Sequence, residues 1–225
     1  MSARNILMLA FAAALFASPA ARAASDQQQA VDSARLSVEA IASSQDSIAQ
    51  EAHKLMAGSR GVIIIPELVK GGFFFGAQGG TGVLLARDKD GQWSNPAFYL
   101  MGAGSFGLQI GVEVSKVVLI IMNDKALHAV MRNEFKLGAE AGVALATLGA
   151  GAEASTTTHA GADIYAFAIS KGLFGGVAIE GGVMKPRAEW DKAYYGRAVS
   201  VPDIILRHAV DNPGAVRLRS TLAGL

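Results

Sequence analysis

Ser105 is the residue whose surroundings first suggest chemistry. Ala103-Gly104-Ser105-Phe106-Gly107 departs from the G-x-S-x-G nucleophile elbow only at its first position. An esterase-like hydrolase would complete it in the order Ser, Asp, His, and Asp163 and His208 supply that order. Nothing in the spacing constrains those two partners, however, and a serine in a glycine-rich strand or turn explains the same five residues. The histidines, His53, His128, His159 and His208, include no pair at the close spacing of a helix or strand metal site, and no cysteine joins them. Neither metal nor cofactor is expected.

The run KGGFFFGAQGGTG, Lys70 to Gly82, has glycine at six of its last twelve positions and poses the question of a phosphate loop. Such a loop needs GxxxxGK followed by Ser or Thr, ahead of a helix whose first amides face the phosphate. Here Gly82 leads instead into Val83-Leu84-Leu85, which reads as a strand. Glycine used to bend a sheet is the better fit.

Basic residues offer a different chemistry. Lys54 and Arg60 close the first helix, Lys70 precedes the phenylalanines, Arg87 and Lys89 flank a turn, and Lys185 and Arg187 follow a strand. Gathered on one side, they would attract anionic head groups at about 1 kcal/mol each. Phe73 and Phe75 beside them would add apolar contact. The alternatives are dispersed solubilising charges and core aromatic side chains.

Glycine marks out the elements that must hold these residues. None falls between Ala24 and Ala57, and 23 of the 26 lie between Gly58 and Pro186. Val31, Ala34, Val38, Ile41, Ile48, Ala52 and Leu55 form an amphipathic stripe interrupted at Gln45, which predicts a helix over 28–57 closed by Gly58. The period then changes. Strands are expected at Val62–Ile65, ended by Pro66, at Gly82–Ala86, at Lys116–Met122, around Tyr165–Ile169 and at Val177–Met184. Asp90-Gly91 predicts a turn before Trp93. Asn123 should cap a helix carrying Leu127, Val130, Met131 and Phe135, and two short C-terminal helices should begin near Pro202 and Pro213. Phe75-Gly76, Phe106-Gly107, Leu137-Gly138 and Phe174-Gly175 recur at 31, 31 and 37 residues, either as a duplication or as repeated strand bends.

The whole chain has 225 residues, 17% of them charged and 51% apolar, which suits one well-buried domain. Arg4, the apolar run Ile6–Ala17 and the small-residue site Ala21-Arg22-Ala23 read as a signal peptide over 1–23, cut after Ala23, with 24–225 as the exported, periplasmic domain. A retained anchor is the alternative, although the run falls short of the roughly 20 residues that span a bilayer. Cleavage would leave 18 basic against 19 acidic residues, a balance that gives no support to nucleic acid as a partner. There is no cysteine, hence neither a disulfide nor a lipid-modified cysteine.

Seven motifs, in order, resemble the SYLF domain family: GVIIIP (Gly61–Pro66), KGGFFFG (Lys70–Gly76), GGTG (Gly79–Gly82), WSNPAFY (Trp93–Tyr99), SFGLQIG (Ser105–Gly111), GLFGGVAIEG (Gly172–Gly181) and YYG (Tyr194–Gly196). The match covers roughly residues 33 to 210. The resemblance implies lipid binding, with phosphoinositide and membrane association in eukaryotic members and actin binding in some fungal ones, and it brings no established catalytic activity. For an exported bacterial chain, anionic phospholipid is the natural translation. The expected fold is α+β: a strongly bent, mainly antiparallel, glycine-rich sheet or partial barrel, packed by the N-terminal amphipathic helix and the C-terminal helices. The expected function is non-enzymatic binding of anionic phospholipid or a membrane surface, with Lys54, Arg60, Lys70, Phe73, Phe75, Arg87, Lys89, Lys185 and Arg187 as candidate contacts. A protein-interaction or envelope scaffold role, with an unidentified protein partner, is the alternative.

Overall fold

The computed structural model describes residues 25–72, 75–106, 111–139, 142–148, 161–171 and 181–225. It opens with two helices where one was expected. Helix α1 (Asp26–Ala42) is capped by Ser25, whose hydroxyl accepts from the Gln28 amide, and it stops at Ser43. Helix α2 (Ser47–Ala57) restarts after Asp46, whose carboxylate accepts from the Ile48 and Ala49 amides, and it ends at Gly58. Ser43, Ser44 and Asp46 compete with the helix for its own backbone groups and so favour caps, which breaks the chain at that point. The apolar stripe holds as expected through Val31, Ala34, Val38 and Ile41, but past the break the fully buried residues are Ala49, Ala52 and Met56, with the expected Ile48 and Leu55 only half-buried beside them.

Eight strands follow: β1 (Gly61–Gly72), β2 (Phe75–Ala86), β3 (Ala97–Phe106), β4 (Gly111–Ile121), β5 (Phe135–Lys136), β6 (Val143–Leu148), β7 (Ile164–Lys171) and β8 (Val183–Pro186). They form one sheet in the order β5-β8-β3-β2-β1-β4-β7-β6. Every pairing is antiparallel except that of β6 with β7. The sheet curls into a half-barrel, as the α+β expectation requires.

Pro66 does not end the first strand. The register of β1 slips by one residue against both neighbours, Ile64 pairing with Val83 but Val69 with Gly79, and Ile65 with Val117 but Leu68 with Ser115. One extra residue at Pro66-Glu67 is a β-bulge, where a residue without an N–H is tolerated. The bulge explains the glycine run. A Cβ on Gly80 would lie 2.4 Å from the Glu67 carbonyl oxygen, and one on Gly82 would lie 2.7 Å from an Ile65 side-chain carbon. Only glycine lets β2 pass this close to the bulge.

Both faces of the sheet are covered at its centre. Ile63, Ile65, Leu84, Tyr99, Leu119 and Ile121 pack against α3 (Asp124–Val130) and α5 (Val201–Ile205). Val62, Ile64, Val83, Leu85, Phe98, Val118 and Ile120 pack against α1, α2 and two further helices, α4 (Ala188–Tyr195) and α6 (Val216–Ala223). Asn123 caps α3 as expected, but that helix ends at Val130, and Phe135 belongs to β5. Pro202 lies in the first turn of α5, while Pro213 opens a 3-10 turn that runs into α6. Gly91, with φ of 80°, makes the expected turn before Trp93. Helix α4 was not anticipated from sequence, although Glu189 and Asp191 in its first turn and the left-handed Gly196 after its end are both helix signals.

Of the spaced pairs, Phe75 and Phe106 stand opposite each other in β2 and β3, and Gly138 is a turn residue with φ of 86°. Phe174-Gly175 lies outside the described residues, as does the first half, 177–180, of the strand expected over Val177–Met184, whose end is the start of β8.

Candidate functional site

Four of the nominated basic residues meet at one end of the sheet, where two of them are bound into the fold. Arg60 donates through Nε to Asp124 at 2.8 Å and through a terminal nitrogen to the Arg87 carbonyl at 2.6 Å. Arg87 reaches the Ala57 carbonyl at the end of α2, 2.6 Å away, and lies over the Trp93 ring at 4.8 Å. Lys54 on α2 and Lys89 in the neighbouring turn are exposed. Lys70 stands near the other end of β1, roughly 30 Å along the strand at about 3.3 Å per residue. Lys185 pairs with Glu134 at 2.9 Å, and Arg187 bonds Thr81 and Glu189 and stacks 3.9 Å from Trp190. The fold therefore does not gather the seven basic residues on one side. Phe73 lies outside the described residues, and Phe75 is placed only by its backbone, opposite Phe106.

Ser105 lies within β3, paired with Gly76, and not on the sharp strand-to-helix turn that an elbow requires. Its supposed partners are occupied elsewhere. Asp163 accepts from Asn123 at 2.7 Å and from the Gly142 amide, which together hold its carboxyl below the usual range, while His208 lies 3.9 Å from Asp88. Among the described residues no group of three or more His, Cys, Asp or Glu gathers as a metal site. No described helix is long and apolar enough to cross a membrane.

The end of the sheet around Lys70 has a feature that sequence reading missed. Past the helices, the face that carries Val83 and Val118 continues through Val69, Val112 and Val114, with Gly71 beside Val112 and Gly79 beside Val69. These valines are 45%, 75% and 42% exposed. On the opposite face, Gln78, Glu113 and Ser115 are only 5%, 6% and 3% exposed, and Ser115 donates to Glu113 at 3.2 Å. Lys70 is in register with both Gln78 and Glu113 on that inner side. The usual arrangement is inverted: apolar outside, polar inside. The strand was expected only from Lys116, although the alternation Val112-Glu113-Val114-Ser115 is itself a strand signal, and its inversion depends on which face the helices cover.

A second site is also new. Asp191 of α4 is 1% exposed, and its Oδ1 accepts from the Phe98 amide at 2.9 Å. Strand β8 ends at Pro186, and although the Arg187 amide still donates to the Phe98 carbonyl at 2.8 Å, the Asp191 carboxylate takes the acceptor place that a strand carbonyl would hold for the Phe98 amide. Burial pushes its carboxyl up to about 7 against the opposing Phe98 bond, with the charge of Glu189 adding to the rise.

A family model described as Ysc84, Las17-binding protein actin regulator, matches residues 102–225. The chain belongs to this family. The SYLF resemblance is a resemblance to this same family. Among relatives of this Ysc84-family chain, SH3 domain-containing YSC84-like protein 1 of Rattus norvegicus is 33% identical over 153 residues, 67% of this chain and 44% of the relative. Its Homo sapiens counterpart is 34% identical over the same extent. LAS seventeen-binding protein 3 of Saccharomyces cerevisiae is 36% identical over 141 residues, 61% of this chain and 30% of the relative. The matched region thus spans less than half the length of each of these relatives.

Proposed function

We propose that this Ysc84-family chain is a non-enzymatic membrane-binding domain, exported with residues 1–23 removed, that sets the Val112 end of its half-barrel into an anionic phospholipid surface. The inverted sheet end carries this reading. Strands with apolar residues outward and polar residues inward match the demands of lipid, where outward side chains meet hydrocarbon and inward ones do not. Val69, Val112 and Val114 supply apolar contact. Lys116, two residues along from Val114, shares the face of the valines, and Lys171 is in backbone register with Val114, while Lys70 follows Val69 on the inner side. Apolar burial together with basic charge is what holds a peripheral protein on an anionic bilayer.

Co-sedimentation with phosphatidylcholine vesicles, with and without phosphatidylglycerol, tests this. The wild type should pellet with the anionic vesicles, and Val112→Asp/Val114→Asp should bind about tenfold more weakly or worse. Binding unchanged by the double substitution would overturn the reading. A protein partner at the same surface is the second reading, supported by the word "binding" in the names of the family and of the yeast relative. Failure to pellet with either vesicle would favour it.

A further inference from the structure

We propose that the cavity between α4 and the segment Ala198–Asp203 binds a small organic ammonium, a primary amine on a short apolar chain, with Asp191 as its acceptor. The cavity measures about 470 Å³, within the range of small-ligand sites. Met131, Pro186, Val199, Val201 and Pro202 give it apolar walls that suit an alkyl chain. Among the described residues its charged lining is Asp191 and Asp203, so the charge it offers is negative.

The two acids are not equivalent. Asp203 is already engaged: it accepts from the Ser200 hydroxyl at 2.6 Å and pairs with Arg207. These contacts hold its carboxyl below the usual range. Asp191 spends one oxygen on the Phe98 amide, and no donor among the described residues bonds the other. Asparagine would accept that amide equally well without the cost of a buried charge. A carboxylate in this position gains its counter-charge when an ammonium enters the cavity, which is the pairing that buried charges require. The cavity belongs to the α5 side of the sheet, opposite the side bearing Val112, and the inference does not depend on the membrane reading.

Amide NMR of the full chain titrated with hexylamine, hexanol and hexanoate tests the proposal. Hexylammonium should shift the amides of Ala188–Asp191 and Val199–Val201 saturably, with a dissociation constant on the order of 1 mM. Hexanol should bind more weakly, and hexanoate should leave those amides unmoved. Asp191→Asn, which retains an acceptor for Phe98, should weaken hexylammonium binding about tenfold or more, the loss expected for a charged hydrogen bond. Ala198→Trp, at an exposed position on the rim, should weaken it with the remaining spectrum preserved, and it decides the matter if the first variant does not fold. No saturable shift in this region, equal response to hexanoate, or binding unaltered by either variant would each overturn the proposal.

Discussion

Asp191 ties a helix to a strand edge through a group that prefers its neutral form. Its carboxyl is raised from an ordinary 3.8 to about 7 by burial first and by the charge of Glu189 in addition. A raised acid binds more protons in the folded chain than in the unfolded one, so its contribution to stability declines as pH rises from about 4 to about 7. Asp191→Asn removes that decline. Thermal unfolding followed by circular dichroism should show the variant gaining on the wild type by about 10 °C between pH 4 and pH 8, for a difference of about 4 kcal/mol. Parallel melting curves across this range would show that Asp191 does not titrate in the window. The signal for this residue was hard to read in advance. AEWDKAYY looks like a helix start once seen, but the burial of Asp191 depends on where β8 ends, and β8 is only four residues long.

At the scale of elements, patterns carried by local chemistry were legible, and patterns that depend on distant neighbours were not. Asn123 caps α3 because its side chain reaches the amide three residues on, whereas the equally local cap at Asp46 went unread because the apolar stripe runs on past it. Gly91 turns because its own backbone requires it. The run through β4 reads as a strand from its branched residues alone. The continuation of β1 through Pro66 could not be read locally, because a bulge exists only relative to the two strands that flank it. The glycines of β2 and β3 divide on the same basis. Gly80→Ala forces a Cβ against the Glu67 carbonyl and should lower the midpoint of urea unfolding by the equivalent of about 1–3 kcal/mol. Gly104→Ala, with nothing within 4 Å of the added carbon, should change it by less than about 1 kcal/mol. Equal effects at the two sites would remove the close approach as the reason for the glycine run.

On the scale of the whole molecule, the half-barrel has two unlike ends. One holds Lys54, Arg60, Arg87 and Lys89, where Arg60 and Arg87 tie α2, β1 and the turn after β2 together through backbone carbonyls. Charge reversal at Arg60 should therefore lower stability before it reports on any ligand, because a carboxylate cannot donate to the Arg87 carbonyl and would oppose Asp124. The other end exposes valines over a polar interior. If the molecule meets a bilayer by that second end, the two ends must differ in what they touch. The chain has no cysteine, so a single substitution can be labelled without background. Val112→Cys and Lys89→Cys, each carrying an environment-sensitive fluorophore, should respond differently to anionic vesicles: a blue shift with rising intensity at 112, and an unchanged spectrum at 89. The label at 112 should also be quenched by lipids brominated in their acyl chains, since an apolar group there would lie about 5–10 Å into the head-group boundary. A shift at 89 with none at 112 would reverse the orientation and return the membrane contact to the basic end. Equal shifts at both positions would mean that the chain lies flat on its surface, with the inverted strand pattern serving some other contact.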